Sequence, residues 1–190
     1  MNLDPEGARV PSMFDLDAAI RKIPNHPKDG ILFFDLMPLF ADPGGLAACV
    51  QDISEWAQPR SVDMVLGAEA RGFIVGGAVA RELGVGFAAA RKPGKLPGRT
   101  IGQEYELEYG IDTLEVHEDV IVPGMRVLVH DDLLATGGTA RAKCDLVERL
   151  GGIVAGVAFV VELTFLPGAD RLSGYDVLSL VKYDSESVPA

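Results

Sequence analysis

VLVHDDLLATGGT, residues 127–139, decides the reading of this chain. A short apolar run ends on two adjacent carboxylates, Asp131 and Asp132, and a glycine-rich turn follows that opens a helix-like segment. That order suits a sugar phosphate. Backbone N–H groups at a helix N-terminus hold an anion, Gly137 and Gly138 let the chain approach it closely, and Thr136 and Thr139 add hydroxyl donors. Asp131 and Asp132 can accept hydrogen bonds from vicinal sugar hydroxyls, as acidic residues beyond a strand do for a nucleotide ribose. Strand side chains alternate faces, so the pair can serve one site only if the chain is already turning there. Turn and cap chemistry explains TGGT alone, but not two carboxylates at the carboxyl end of a strand, where open α/β sheets bind ligands.

Outward from this stretch the chain alternates strand and helix patterns. Residues 126–130, 139–150 and 153–162 read as strand, helix and strand, and residues 62–66, 73–83 and 85–90 repeat the order around the polar connection Glu69-Ala70-Arg71-Gly72. Residues 175–182 form a last strand. Residues 104–109 and 113–117 predict a hairpin around Gly110. Near the N-terminus, residues 15–23 predict a short amphipathic helix ended by Pro24 and Pro27, residues 30–36 a short apolar strand or turn, and residues 45–58 a helix with Trp56 on its apolar side. Such alternation implies an α/β fold, a central and mostly parallel sheet flanked by helices with right-handed crossovers. The first 45 residues fit that pattern poorly and are expected to form a small hood over one edge.

Composition narrows the class. The 190 residues, 48% hydrophobic, with a mean hydropathy of +0.20, are expected to form one domain, 1–190, around an ample core. The N-terminus has no basic-then-apolar signal pattern, and the longest apolar run, 153–161, is far short of the roughly 20 residues that span a bilayer. A cytoplasmic protein with no membrane partner is expected. Cys49 and Cys144 are too few and too distant for a disulfide framework or metal site, and His26, His117 and His130 lack ligand spacing. The net charge of −11 argues against a nucleic-acid partner.

RKPGKLPGR, residues 91–99, runs against the acidic trend. Arg91, Lys92, Lys95 and Arg99 stand without an acid among them, and two Pro-Gly steps make the segment a turn-rich loop. It is either a solvated basic loop or a phosphate clamp. GVGFAA, residues 84–89, has the spacing of a dinucleotide fingerprint, but it precedes a strand and opens no helix. No P-loop pattern is present.

Taken together, the chain resembles the adenine phosphoribosyltransferases, of the type I phosphoribosyltransferase fold. The resemblance spans about residues 20 to 183 and rests on IPNHPKDGILFFDLMPLFADP, AEARGFIVGGAVARELG, RKPGKLPG, YELEYG, VLVHDDLLATGGTA and VELTFLPG. It implies transfer of phosphoribosyl from 5-phosphoribosyl-1-pyrophosphate to adenine, giving AMP and pyrophosphate, with Mg²⁺ carried mainly by the substrate. A homodimer and a flexible loop or hairpin are implied with it.

The resemblance also distributes roles. Ala135, Thr136, Gly137, Gly138 and Thr139 would hold the 5′-phosphate, with Asp131 and Asp132 by the ribose hydroxyls. Arg71, Arg91, Lys92 and Lys95 would address pyrophosphate, part of this set coming from the neighbouring subunit. Glu69-Ala70 resembles the family's pyrophosphate loop, which often contains a non-proline cis peptide. Phe33 and Leu163 would cover the two faces of adenine, and backbone groups of Leu32 and Phe34 would read its edge. Phe34 stands where the family commonly has arginine, and His130 where a β-branched apolar residue is usual.

The chemistry fits such a distribution. Displacing pyrophosphate develops positive charge on the ribose ring and negative charge on the leaving group, so both need stabilisation. Water competes with adenine, which calls for a closing lid, and residues 93–109 are the candidate. Adenine loses its N9 proton, which calls for a proton acceptor; Glu108, with Tyr109 beside it, is the choice. Two other readings share the fold. A regulator that senses the sugar phosphate would need a basic DNA-binding extension, and a 6-oxopurine transferase would differ only in the base it takes.

Overall fold

A computed structural model describes residues 14–106 and 110–185. Asp15 caps a single helical turn, Leu16–Ala19 (α1), by accepting the Ala18 N–H at 3.0 Å. The chain then turns extended at Ile20, and Arg21–Pro24 (β1) pairs antiparallel with Leu32–Asp35 (β2). The helix expected over 15–23 is therefore half helix and half strand. The cross-strand partners Arg21 and Asp35 make an ion pair at 2.5 Å, a contact that a continued helix would forgo. Met37–Ala41 (α2) and Pro43–Ala57 (α3) follow, the latter started by Pro43 and by Asp42 accepting the Gly45 N–H at 2.9 Å.

Met64–Ala68 (β3), Gly72–Leu83 (α4) and Gly86–Ala90 (β4) form the first parallel crossover. Gly84, at φ +72°, ends α4 in the left-handed conformation, so GVGFAA is a helix stop running into a strand rather than a nucleotide turn. Thr100–Glu106 (β5) and Ile111–His117 (β6) make the antiparallel hairpin, starting earlier than the pattern predicts. Arg126–Leu134 (β7), Gly138–Arg149 (α5), Ile153–Leu163 (β8) and Val177–Tyr183 (β9) complete the chain. The main sheet has the order β4-β3-β7-β8-β9, and every neighbouring pair is parallel.

Alternation along β7 builds a core on each side of this sheet. Leu128 faces α3 and α4 among Ile53, Val75, Val79 and Val160, whereas Val127 and Val129 face α5 among Cys144, Leu146 and Phe159. Each fully buried Leu or Ile contributes on the order of 2 kcal/mol relative to exposure. Leu16, Ile20, Leu32, Phe34, Leu39 and Phe40 of the N-terminal elements join the α3–α4 side of the core.

The strand expected to stop at His130 continues to Leu134. β8 gives it a partner throughout, with Asp131 opposite Phe159 and Leu133 opposite Val161. β3 follows it only as far as Gly67 opposite His130. From Asp131 onward β7 is bonded on one edge alone, and its other edge faces a cavity.

Candidate active site

A cavity of about 410 Å³ opens above the carboxyl ends of β3 and β7. Its size suits a small-molecule ligand. Residues 135–139 form one wall. Gly137, at φ +80°, precedes α5 without a side-chain cap, so the first N–H groups of that helix stay available to an anion. Gly168 of VELTFLPG supports this turn from behind. A β-carbon on Gly137 would stand 2.6 Å from the Gly168 carbonyl oxygen, and one on Gly168 would stand 2.2 Å from that of Ala135.

Asp131 and Asp132 both line the cavity although they belong to a regular strand. Each is held by a cation from a different helical layer. Lys143 of α5 donates to Asp131 Oδ2 at 2.8 Å, and Arg71 Nε, just before α4, stands 2.5 Å from Asp132 Oδ2. Burial, reinforced by the charge of Asp131, pushes the Asp132 carboxyl above the usual carboxylate range. The Asp132 side chain is 9% exposed, Arg71 41%, so the guanidinium can turn to a ligand while the carboxylate stays in place. Gly72 lies over Asp131, where a β-carbon would come within 2.8 Å of Oδ1.

The opposite wall joins the basic loop to the hairpin. The Glu69–Ala70 peptide is cis. Glu69 Oε2 accepts from Arg91 Nε and Nη2 at 3.0 and 2.9 Å, and Oε1 accepts the Lys92 N–H at 2.7 Å. The Lys92 N–H, with Arg91, holds the Glu69 carboxyl below its ordinary range. Lys92 Nζ reaches Asp112 Oδ2 at 3.0 Å. The Tyr105 hydroxyl lies 3.4 Å from the same carboxylate, across the hairpin.

The sequence pattern of the phosphoribosyl transferase domain matches residues 45–185. An adenine phosphoribosyltransferase of Koribacter versatilis is 53% identical over 179 residues, 94% of this chain and 98% of the relative. The chain belongs to the adenine phosphoribosyltransferases. Among solved structures, the adenine phosphoribosyltransferase of Thermoanaerobacter pseudethanolicus superposes with a TM-score of 0.85 at 48% identity, covering 88% of this chain and 98% of that one. The Saccharomyces cerevisiae adenine phosphoribosyltransferase, solved with adenine and an imino-altritol bisphosphate, gives 0.83 at 39% identity, covering 87% and 96%. The parallel sheet with flanking helices is thus the type I phosphoribosyltransferase fold.

Within this adenine phosphoribosyltransferase fold, Arg71, Lys92, Asp131, Asp132, Ala135, Thr136, Gly137, Gly138 and Thr139 line one cavity. Arg91 stands behind it, engaged by Glu69 and donating to the Lys95 carbonyl at 3.0 Å, and Lys95 is not among the lining residues. Glu108 and Tyr109 lie outside the described residues.

The residues assigned to the base lie in the hood and on β8. Leu32 and Phe34 are buried, and Phe34 stacks on Tyr183 with ring centroids 4.0 Å apart. Phe33 points to the other face of β2, half-buried, with His26 edge-on at 5.0 Å. The apolar residue at position 34 therefore has a packing role. Leu163 ends β8 beside Tyr183.

Four polar lining or supporting residues escape the motif reading: Tyr105, Asp112, Glu69 as an organiser of the basic loop, and Lys143. Tyr105 opens YELEYG and sits opposite Asp112 in the hairpin register, a pairing that strand alternation around Gly110 could have exposed. Lys143 carries no such signal, because a lysine on a helix ordinarily faces water.

His130 is fully buried on the Gly76 side of the sheet. Its Nδ1–H donates to the Ala158 carbonyl at 2.9 Å, and Nε2 has no hydrogen-bond partner. Burial pushes its pKa down from 6.5 to about 4, so it is the neutral imidazole.

Proposed function

We propose that the cavity performs the family's reaction, phosphoribosyl transfer from 5-phosphoribosyl-1-pyrophosphate to N9 of adenine, releasing pyrophosphate and AMP in purine salvage. The observation that carries this reading is the convergence of the phosphate turn 135–139, the paired carboxylates and the cations Arg71 and Lys92 on one cavity. The 5′-phosphate sits on the N–H groups of residues 137–139 with the Thr136 and Thr139 hydroxyls. Asp131 and Asp132 accept from the ribose hydroxyls and so fix the sugar for attack at its anomeric carbon. Arg71 leaves Asp132 for the pyrophosphate, and Lys92, aided by Arg91 and Lys95, stabilises the charge that develops there.

Among the described residues no three carboxylate, histidine or cysteine side chains gather to cage a cation, and the two site carboxylates already hold cations. These residues fit a Mg²⁺ that arrives on the substrate's phosphate oxygens, where it would neutralise leaving-group charge.

Adenine lies between Phe33 and Leu163, its edge read by the backbone of Leu32 and Phe34. Adenine as the base is supported by the Saccharomyces cerevisiae relative, which was solved with adenine and a sugar-bisphosphate mimic. Glu108 accepts the N9 proton, with Tyr109 beside it, and the hairpin closes over the base. Lys92, paired with Asp112, ties the hairpin to the basic loop.

The reading includes a homodimer of single-domain subunits in the cytoplasm, with part of the basic set crossing between subunits. The groove of about 850 Å³ between α3 and α4, where Leu46, Val50 and Leu83 stand among Gln51, Glu55 and Arg81, is the face assigned to the second subunit. No helix among the described residues is long and apolar enough to cross a membrane. The reading is tested by Mg²⁺-dependent formation of AMP from adenine; folded protein without that activity overturns it.

A further inference from the structure

Lys143 is fully buried in the middle of α5, where its helical neighbours Ala140, Ala142, Cys144, Leu146 and Val147 are buried as well. Taking an ammonium out of water costs several kcal/mol unless partners repay it, so an aliphatic residue would fill the position at lower cost. The partners are specific. Nζ donates to the His130 carbonyl at 2.6 Å and to Asp131 Oδ2 at 2.8 Å. Asp131 Oδ1 in turn accepts the Asp132 N–H at 3.1 Å. Both carboxylate oxygens are thereby fixed, and each keeps a lone pair.

Lys143 and Arg71 clamp the two carboxylates from opposite layers, but they are not equivalent. Arg71 is 41% exposed and can follow a ligand, whereas Lys143 has no exposed surface and cannot touch one. Its effect on a ligand must pass through Asp131. The incoming sugar phosphate is a polyanion, and it meets a cavity that already holds two carboxylates. An unpaired Asp131 would repel it and would be free to rotate away from the sugar.

We infer that Lys143 is a positioning residue for the sugar-phosphate substrate: it locks the rotamer of Asp131 and cancels the charge that Asp131 sets against the phosphates. The inference rests on Asp131 being an acceptor for the ribose hydroxyls.

The test is Lys143→Met in the full chain, with KM measured separately for 5-phosphoribosyl-1-pyrophosphate and for adenine. The KM for the sugar phosphate rises at least about tenfold, equivalent to about 1.4 kcal/mol, while that for adenine stays within about twofold. A folded variant with an unchanged sugar-phosphate KM, or with both constants raised alike, overturns the inference even when the wild-type chain makes AMP. A wild-type chain that makes no AMP overturns the underlying reading and the inference with it. If Lys143→Met does not fold, ¹⁵N-lysine-labelled wild-type protein supplies the answer. The slowly exchanging Nζ signal of the buried ammonium shifts on adding 5-phosphoribosyl-1-pyrophosphate and not on adding adenine. A signal unmoved by the sugar phosphate contradicts the assignment.

Discussion

Gly168 lies so close behind the turn at residues 135–139 that a β-carbon on it would stand 2.2 Å from the carbonyl oxygen of Ala135. The obstructing atom is backbone, so the turn itself must move to admit a side chain. Leu134, whose Cδ1 would be 2.9 Å away, blocks the neighbouring direction. Gly168→Ala is expected to cost about 1–3 kcal/mol of stability through overpacking and to raise the KM for 5-phosphoribosyl-1-pyrophosphate about tenfold. Thermal unfolding and steady-state kinetics check both effects, and a variant that keeps its sugar-phosphate KM would show that the turn does not depend on this contact.

Glu69 organises the basic loop by receiving Arg91 on one oxygen and the Lys92 N–H on the other. Glu69→Gln keeps the shape but leaves only one acceptor oxygen and no charge for the guanidinium. The expected result is a fall of about tenfold in kcat/KM for the sugar phosphate, since Lys92 loses its fixed backbone. Equal kinetics for variant and wild type would place Lys92 outside the pyrophosphate site.

His130 gives the chain a pH signature. Its folded pKa, about 4, lies below the ordinary 6.5. A group depressed on folding contributes full stability above its unfolded pKa and loses it as pH falls toward the folded value. Between pH 6.5 and about 4 the unfolded chain therefore binds this proton and the native chain does not. At pH 5 the difference is about 2 kcal/mol. Asp132, raised on folding, works in the opposite direction by protonating first in the native state. The comparison must therefore be made against His130→Val, which keeps Asp132. Urea unfolding at pH 7 and pH 5 is expected to show a smaller acid loss in the variant, and equal losses would mean that His130 is not buried as the neutral form.

Glu108 is the proton acceptor we propose for the reaction. Glu108→Gln is expected to lower kcat by about 100-fold, within the range for general acid–base groups, while the KM for 5-phosphoribosyl-1-pyrophosphate stays near wild type. Single-turnover and steady-state assays measure the two separately. An unchanged kcat would transfer the role to another group.

Much of this site is written in short local patterns. VLVHDDLLATGGT announces both cavity-lining carboxylates and the glycine turn beside them because strand, Asp pair and glycines are contiguous, and the parallel sheet follows from the strand–helix alternation on either side. Ranges shift by a few residues where partners decide them. β7 runs through both Asp residues because β8 supports it, and residues 21–24 become strand because β2 lies opposite. What the sequence conceals is long-range pairing. Lys143 is an ordinary helical lysine until α5 packs over Asp131, and Gly168 is an ordinary turn glycine until it reaches Ala135. Position 130 leaves a charged or a neutral histidine open; complete burial decides for the neutral form.

The choice of base defines the proposed activity. Purified protein with Mg²⁺ and 5-phosphoribosyl-1-pyrophosphate, supplied in parallel with adenine, hypoxanthine, guanine and xanthine, measures that choice directly. AMP is expected from adenine with a kcat/KM at least about 100-fold above any 6-oxopurine, the scale of discrimination that unpaired polar groups impose. Comparable turnover of hypoxanthine or guanine, or no nucleotide from adenine, would contradict it.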